Sequence, residues 1–165
     1  ELVSTNIVSI QKGEKGKPGE IKGSIEGSSK IGEVYKNTSF GIFGKVSNKN
    51  SLKVTESEMD ILNRDEIKKG KAQIICELED GKKEHYDIEI QRIYTANNKD
   101  NKSMLIKITD ERLLEKTGGI IQGMSGSPII QNGKFVGAVT HVLVNDPTTG
   151  YGVFADMMLK QMMQT

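Results

Sequence analysis

The residues best suited to chemistry lie in the short stretch from Gln122 to Pro128, which reads QGMSGSP. Ser125 stands between Gly123 and Gly126. A glycine before a serine lets the backbone turn so that successive N–H groups point to one spot. A glycine after it leaves room for a substrate carbonyl. Such a turn can hold a hydroxyl nucleophile beside an oxyanion pocket. Ser127 would point elsewhere in an extended segment and is the weaker nucleophile candidate.

A second candidate group is the carboxylate of Asp110. Met104, Ile106 and Ile108 alternate with other residues and predict a strand with one buried face, and Asp110 falls on the same parity. A carboxylate at the end of a buried face is costly unless it has a partner, which indicates a role for it. The alternative is structural, as the N-cap of a short helix predicted over residues 111–116. Both roles can hold at once.

Two histidines are the available imidazole bases. His85 lies on the polar face of a predicted strand beside Asp87 and Glu89, so we interpret it as a solvated surface residue. His141 follows Ser125 by 16 residues on another predicted strand. It could contact a substrate or simply pack within that strand.

Hairpins and short strands would position these groups. The alternating runs 72–78 and 85–94 flank Asp80-Gly81, a hairpin signal, and Asn132-Gly133 is a second signal before a strand over 134–144. Further strands are predicted at 2–10, 20–26, 31–35, 40–46 and 152–154. Solvated or irregular segments are predicted at 12–19, 47–62, 97–101 and from Asp146-Pro147. Asp156 is predicted to cap a final helix whose methionines pack in the core (Met157, Met158, Met162 and Met163).

The composition of the chain restricts its fold class and the kinds of partner and binding site that it can have. The chain has 165 residues and a net charge of +1, with lysines spread among acids, which argues against nucleic acid as the main partner. The chain has one cysteine, Cys76, so an internal disulfide and a metal site built from several cysteines are excluded. Cys76 shares a strand face with Ile74 and Leu78 and is predicted to be buried. No metal or other cofactor is predicted. No apolar run approaches the roughly 18 residues of a membrane span. The pattern predicts an all-β barrel or sandwich with one terminal helix.

The GMSGSP turn resembles the GxSGxP motif of trypsin-like serine peptidases. The stretch 108–153, ITDERLLEKTGGIIQGMSGSPIIQNGKFVGAVTHVLVNDPTTGYGV, resembles the stage IV sporulation protein B (SpoIVB) peptidase family, as do KGEKGKPGEIKG and FGIFGKV upstream. The resemblance implies an all-β, trypsin-like double β-barrel with an incomplete first barrel and a C-terminal helix. Residues 1–62 would hold the rest of the first barrel and the crossing segment, and 63–165 the second barrel and the helix.

The same resemblance assigns roles to residues. It implies that Ser125 is the nucleophile, that the N–H groups of Gly123 and Ser125 form the oxyanion hole, and that Asp110 is the acid of the triad. Gly119, six positions before Ser125, would form the floor of the main specificity pocket. No acid lies nearby in sequence, so we expect a small or apolar pocket rather than a preference for Lys or Arg. His141 and Thr140 would lie on the strand that lines the substrate cleft.

The family carries its catalytic histidine in a Gly-His-Gly motif, which this sequence lacks. We therefore expect the chain to begin after that histidine, with the missing segment supplied in cis or in trans. The family's usual PDZ domain and membrane anchor are also outside this chain. The resemblance implies a serine endopeptidase of sporulation signalling. Such an enzyme acts in the forespore intermembrane space, where it cleaves a regulatory protein of a membrane complex and so triggers processing of a late sigma factor.

Two other functions fit the residues. The first is a non-catalytic module that binds a peptide or partner on a peptidase scaffold, which the missing histidine favours. The second is hydrolysis of a non-peptide ester by the same serine. The esterase pattern G-x-S-x-G is met only in part, because Ser127 stands where that pattern has glycine.

Overall fold

The centre of the molecule is a closed barrel of six antiparallel strands between residues 70 and 154. This computed structural model describes residues 1–25, 30–47, 52, 57–96 and 101–164. The barrel strands are β6 (Gly70–Glu79), β7 (Lys82–Ile93), β8 (Met104–Ile108), β9 (Pro128–Gln131), β10 (Lys134–Leu143) and β11 (Asp146–Phe154). Their order around the barrel is β10-β11-β8-β7-β6-β9. A short helix, α1 (Glu111–Thr117), lies between β8 and β9.

The barrel interior is filled by alternate side chains of the strands. Ile74, Ile90, Ile106 and Ile129 are each 0% exposed. Burial of one such side chain contributes about 1.5–3 kcal/mol, so these positions supply much of the driving force for closure. Cys76 is buried on the same inner surface, as predicted, and burial raises the pKa of its thiol to about 12.

Both predicted hairpins of the barrel are confirmed. Gly81, at the β6–β7 turn, has a φ of 74°. At the β9–β10 turn, Asn132 and Gly133 have φ values of 52° and 72°. Positive φ at both central residues matches the twist of the flanking strands, which is why Asn-Gly is favoured there.

The N-terminal part of the chain forms two small sheets. One contains β1 (Leu2–Val3), β4 (Lys30–Thr38) and β5 (Gly41–Val46), and the other is the hairpin of β2 (Asn6–Gln11) and β3 (Glu20–Ser24). Within the described residues these strands do not close into a second barrel, in agreement with the incomplete first barrel that was expected. Most of the predicted crossing segment 47–62, and residues 97–100 of a predicted loop, lie outside the described residues. The proposed division at residue 62 stays a prediction.

The C-terminal end differs from the sequence prediction in three ways. Strand β11 begins at Asp146, so Asp146-Pro147 is strand rather than loop. The final helix, α2 (Ala155–Met163), has Phe154 as its N-cap, while Asp156 instead accepts hydrogen bonds from Arg64 at 2.7 and 3.0 Å. Its methionines are not uniformly core: Met157 packs against the core cluster, but Met163 is 77% exposed.

Helix α2 is also tied to the N-terminal sheet. The ammonium group of Lys36 on β4 donates to the carbonyl oxygens of Gln161 and Gln164, at 2.8 and 2.9 Å. A cation on the unpaired carbonyls at a helix C-terminus stabilises that end. In the described residues, no helix combines the length and the apolar character that a membrane crossing requires.

Candidate active site

The loop that carries Ser125 is fixed by backbone hydrogen bonds to β10. The N–H of Gly126 donates to the carbonyl of Val139 at 2.8 Å, and the N–H of Val139 donates to Ser127 at 3.0 Å. Met124 points inward and is 1% exposed, whereas Ser125 is exposed to solvent. The turn therefore presents the serine hydroxyl outward while its neighbour anchors it in the core.

Both glycines of the turn have conformations that other residues rarely adopt. The φ of Gly123 is 99° and that of Gly126 is 91°. Among the described residues, no acceptor receives a hydrogen bond from the N–H of Gly123 or of Ser125, whereas the N–H groups of Met124 and Gly126 are paired. Two unpaired amides on either side of one peptide unit can donate to an oxyanion. These are the two amides that the sequence motif predicts for this role.

Ser125 opens into a cleft of about 430 Å³. Its Oγ donates to the carbonyl oxygen of Thr140 at 3.2 Å. One wall of the cleft is the turn between β4 and β5, another is formed by β10 and β11, and Met158 of α2 contributes to the lining. The lining residues are mainly apolar or small: Thr38, Ser39, Phe40, Gly41, Ile42, Asn101, Gly126, Ala138, Val139, Thr140, Val153 and Met158. Sequence reasoning missed the β4–β5 contribution, since nothing in its local pattern signals contact with a loop more than eighty residues away.

Thr140 lines this cleft, and His141 follows it on β10. The Oγ1 of Thr140 is 3.2 Å from the carbonyl oxygens of Asn101 and Tyr151, and 3.0 Å from Nδ1 of the exposed His141. His141 thus contacts the residue whose carbonyl receives the Ser125 hydroxyl. Within the described part of the chain, it makes no hydrogen bond to Ser125 itself.

His85 lies on β7, away from the cleft. It is half-buried, and its Nδ1 is 3.2 Å from Oε1 of Gln73 on β6. It does not line the Ser125 cleft. The structure therefore gives neither histidine a direct contact with the serine.

Asp110 is buried and its carboxylate is fully engaged. Oδ1 accepts from the backbone N–H of Arg112 at 3.0 Å and so caps α1, and Oδ2 accepts from the backbone N–H of Asp87 at 3.0 Å. The guanidinium of Arg112 adds bonds of 2.9 and 3.1 Å. Mainly because of Arg112, the pKa of Asp110 falls to about 2. The capping role that the sequence predicts for Asp110 is thus confirmed.

The structure does not bring Asp110 and Ser125 together. Asp110 follows the C-terminal end of β8, whereas Asn101, which precedes the N-terminal end of that strand, lines the serine cleft. Neither Asp110 nor its partner Arg112 lines the cleft. The triad role of Asp110 therefore stays a prediction, because no contact in the described residues links Asp110 to Ser125.

Gly119 also lies apart from the cleft. It is buried with a φ of 139°, and a Cβ at this position would lie 2.1 Å from the carbonyl oxygen of Pro147. The next residue, Ile120, donates its N–H to that same oxygen at 2.7 Å. Because Gly119 has no Cβ, its backbone can pack closely against the backbone of Pro147. The apolar surface near Ser125 is formed by other residues.

The described residues contain no cluster of three or more His, Cys, Asp or Glu side chains that could hold a metal ion. The arrangement around Ser125 offers a hydroxyl, two amide donors and a cleft. These groups suit nucleophilic attack on an acyl carbon with stabilisation of the resulting oxyanion.

Comparison with solved structures identifies known proteins that share this fold. Rv3671c protease from M. tuberculosis in its active form is 15% identical, with a TM-score of 0.57, and the match covers 96% of this chain and 71% of that one. The inactive form of Rv3671c protease is 16% identical, with a TM-score of 0.53, and the match covers 79% of this chain and 64% of that one. At these identities the likeness shows the fold alone.

No curated protein sequence matches the chain significantly. The family model described as SpoIVB peptidase S55, however, matches residues 1–159, nearly the whole chain. The family resemblance of the GMSGSP region thus extends to the N-terminal sheets and to most of α2. The chain belongs to the SpoIVB peptidase S55 family.

Proposed function

We propose that this chain carries the nucleophile and the oxyanion loop of a serine endopeptidase, with Ser125 as the nucleophile. The observation that carries the proposal is the Ser125 turn itself. An exposed hydroxyl faces a cleft, and the amides of Gly123 and Ser125 have no acceptor among the described residues. Membership of a peptidase family and the protease folds of the neighbours support it.

The chemistry follows from these groups. The Oγ of Ser125 attacks a peptide carbonyl, and its proton passes to an imidazole base. The N–H groups of Gly123 and Ser125 stabilise the tetrahedral oxyanion, the amine leaves with the proton, and water hydrolyses the acyl-enzyme. Before attack, the Ser125 hydroxyl must turn from the Thr140 carbonyl to the base.

The base is proposed to come from outside residues 1–165. Neither His85 nor His141 donates to or accepts from Ser125 in the described residues. The family resemblance implies a Gly-His-Gly segment, supplied in cis or in trans. Asp110 is the acid that the resemblance implies. To act as one it would have to exchange Arg112 for that imidazole, and the backbone that carries Asp110 would have to lie closer to Ser125 than it does in this structure.

The proposed substrate is a protein or peptide of a membrane-associated sporulation complex, cleaved in the forespore intermembrane space. This part rests on the family resemblance. The apolar lining that Ile42, Val139 and Met158 give to the cleft suits an apolar side chain of such a substrate.

Labelling with a fluorophosphonate tests the nucleophile. A longer protein that includes the Gly-His-Gly segment should label on Ser125 and cleave peptides, whereas residues 1–165 alone should react about 10⁴ to 10⁶ times more slowly. Ser125→Ala in the longer protein should abolish both signals, and the matched control Ser127→Ala should retain them. Full cleavage by Ser125→Ala would refute the assignment.

A second candidate function is peptide binding without cleavage. One observation favours it: no base contacts Ser125 among the described residues. Under this alternative, the longer protein would bind peptides in the cleft and yet remain unlabelled by the fluorophosphonate.

A further inference from the structure

The hairpin of β2 and β3 lies directly against the loop that carries the candidate nucleophile. The carbonyl of Gly19 accepts from the N–H of Gln122 at 2.9 Å, and the carbonyl of Gln122 accepts from the N–H of Ile21 at 2.8 Å. These two bonds form a parallel bridge between Glu20 and Gln122. Gln122 immediately precedes Gly123, so the hairpin holds the peptide unit that contains the first proposed oxyanion donor.

Ile21 also fills the space beside Gly123. A Cβ built at Gly123 would lie 3.0 Å from Cβ of Ile21 and 3.4 Å from both Cγ1 and Cδ1. The Gly123 backbone therefore packs on the Ile21 side chain with no room between them. Rotation of the peptide unit between Gln122 and Gly123 would meet the Ile21 side chain on one side and would break the hydrogen bond that the Gln122 carbonyl accepts from the N–H of Ile21.

The hairpin is itself anchored to the barrel. Ile10, which pairs with Ile21 across the hairpin, packs with it against the barrel's core cluster. The N–H of Gly13 donates to the carbonyl of Thr117 at the end of α1, at 2.8 Å. Because these contacts reach the core and α1, the hairpin can hold the loop in place rather than move with it.

The glycines of the connection between β2 and β3 allow this close approach. Segment 12–19 was predicted to be a solvated loop, yet Gly13 and Gly19 are buried. A Cβ at Gly19 would lie 2.4 Å from the carbonyl oxygen of Gln11 and 2.7 Å from Cγ2 of Ile121. The prediction was thus right for the exposed lysines of the segment and wrong for these two glycines.

We propose that the β2–β3 hairpin is a positioning element for the oxyanion loop, and that Ile21 is its positioning residue. Met124 anchors the loop from the core side, and Ile21 closes the other side. Between these two contacts the amide of Gly123 is fixed before substrate arrives. This inference rests on the proposed role of Ser125, because it concerns how the donors of that site are aligned.

The test uses the full-length protease and compares Ile21→Ala, the conservative Ile21→Val, and Val8→Ala as the control. Val8 lies in the same hairpin but is 66% exposed. Loss of a whole oxyanion donor lowers kcat about 10²- to 10³-fold. Partial misalignment in Ile21→Ala should therefore lower kcat about 10- to 100-fold. KM should stay within about twofold, because the donor acts mainly in the transition state. Ile21→Val and Val8→Ala should stay within about threefold of the wild-type kcat.

Amide hydrogen exchange gives a readout that does not depend on activity. In Ile21→Ala, the N–H of Gln122 should exchange at least about tenfold faster than in the wild type, while amides in β7 should be unchanged. A melting curve for each variant establishes the folded fraction at the assay temperature.

Three results would overturn the positioning role. They are an unchanged kcat in Ile21→Ala, a kcat that falls only as far as the unfolded fraction explains, and unchanged exchange at Gln122. In each of these cases an inactive Ser125→Ala would leave the proposed function standing. An active Ser125→Ala would instead remove the proposed function, and the exchange measurement would still decide whether Ile21 orders the loop.

Discussion

Neutralising Asp110 should destabilise the fold in a pH-dependent way. In Asp110→Asn the shape of the side chain is kept, and an oxygen remains to cap α1. The charge that Arg112 and the amide of Asp87 stabilise is lost. The wild-type carboxyl has a pKa of about 2 instead of its ordinary 3.8, chiefly because of Arg112.

The size and sign of the effect follow from this pKa. At about 1.4 kcal/mol per pH unit, the difference corresponds to about 2 kcal/mol of unfolding free energy. Arg112 is mostly exposed, so solvent screening reduces this value and we expect about 1–2 kcal/mol at pH 7. Because the folded pKa is depressed, this stability is complete above the unfolded value near 3.8. It is lost as the pH falls through about 2.

The unfolding free energy can be measured by urea denaturation at several pH values between 7 and 2. The proteins compared are the wild type, Asp110→Asn and the control Glu111→Gln. Glu111 is an exposed carboxylate in the first turn of the same helix, and its variant should lose only a few tenths of a kcal/mol. A deficit in Asp110→Asn below about 0.5 kcal/mol at pH 7, or one that does not shrink between pH 4 and pH 2, would refute the reasoning.

The same variant separates the two roles of Asp110. If Asp110 only caps α1, folded Asp110→Asn in the longer protein should keep the wild-type kcat. If Asp110 is the acid of the triad, kcat of the folded variant should fall about 10⁴-fold.

Two further predictions concern Gly119 and Cys76. Gly119→Ala should lower the unfolding free energy by roughly 3 kcal/mol or more, because its Cβ would meet Pro147 at 2.1 Å; Gly133→Ala, with open space around it, should cost about 1 kcal/mol. Equal losses in the two variants would contradict this. Cys76 should resist a thiol reagent at pH 8 in the native protein, since a pKa of about 12 leaves about one thiolate in 10⁴. Rapid modification without denaturant would show that the thiol is accessible.

The parts of the fold that sequence predicts well are those set by neighbours in the chain. The alternation of Met104, Ile106 and Ile108 depends only on the pleat of one strand, and all three are buried as expected. The turn at Asn132-Gly133 depends on its own backbone preferences. The cap of α1 and its end at Gly118, where φ is 74°, are likewise local.

The features that sequence did not predict are set by distant contacts. Asp156 was expected to cap α2, but the guanidinium of Arg64 competes for its carboxylate with two hydrogen bonds. The pairing of Glu20 with Gln122 joins segments about a hundred residues apart, and the sequence of neither segment has a periodic pattern that would predict it. For the candidate site, the motif predicts the turn around Ser125, while the wall that Phe40 contributes depends on how the sheets pack.

The contact of Lys36 with Gln161 and Gln164 bears on how the protein is made. The β4–β5 turn that walls the serine cleft leaves the ribosome before Ser125 does, whereas the carbonyls that receive Lys36 belong to α2, which follows Ser125 in the chain. Contacts of such long sequence separation form late in folding. A nascent chain would therefore carry the nucleophile before the wall beside it is secured, and the groove would be completed only once synthesis has passed residue 164.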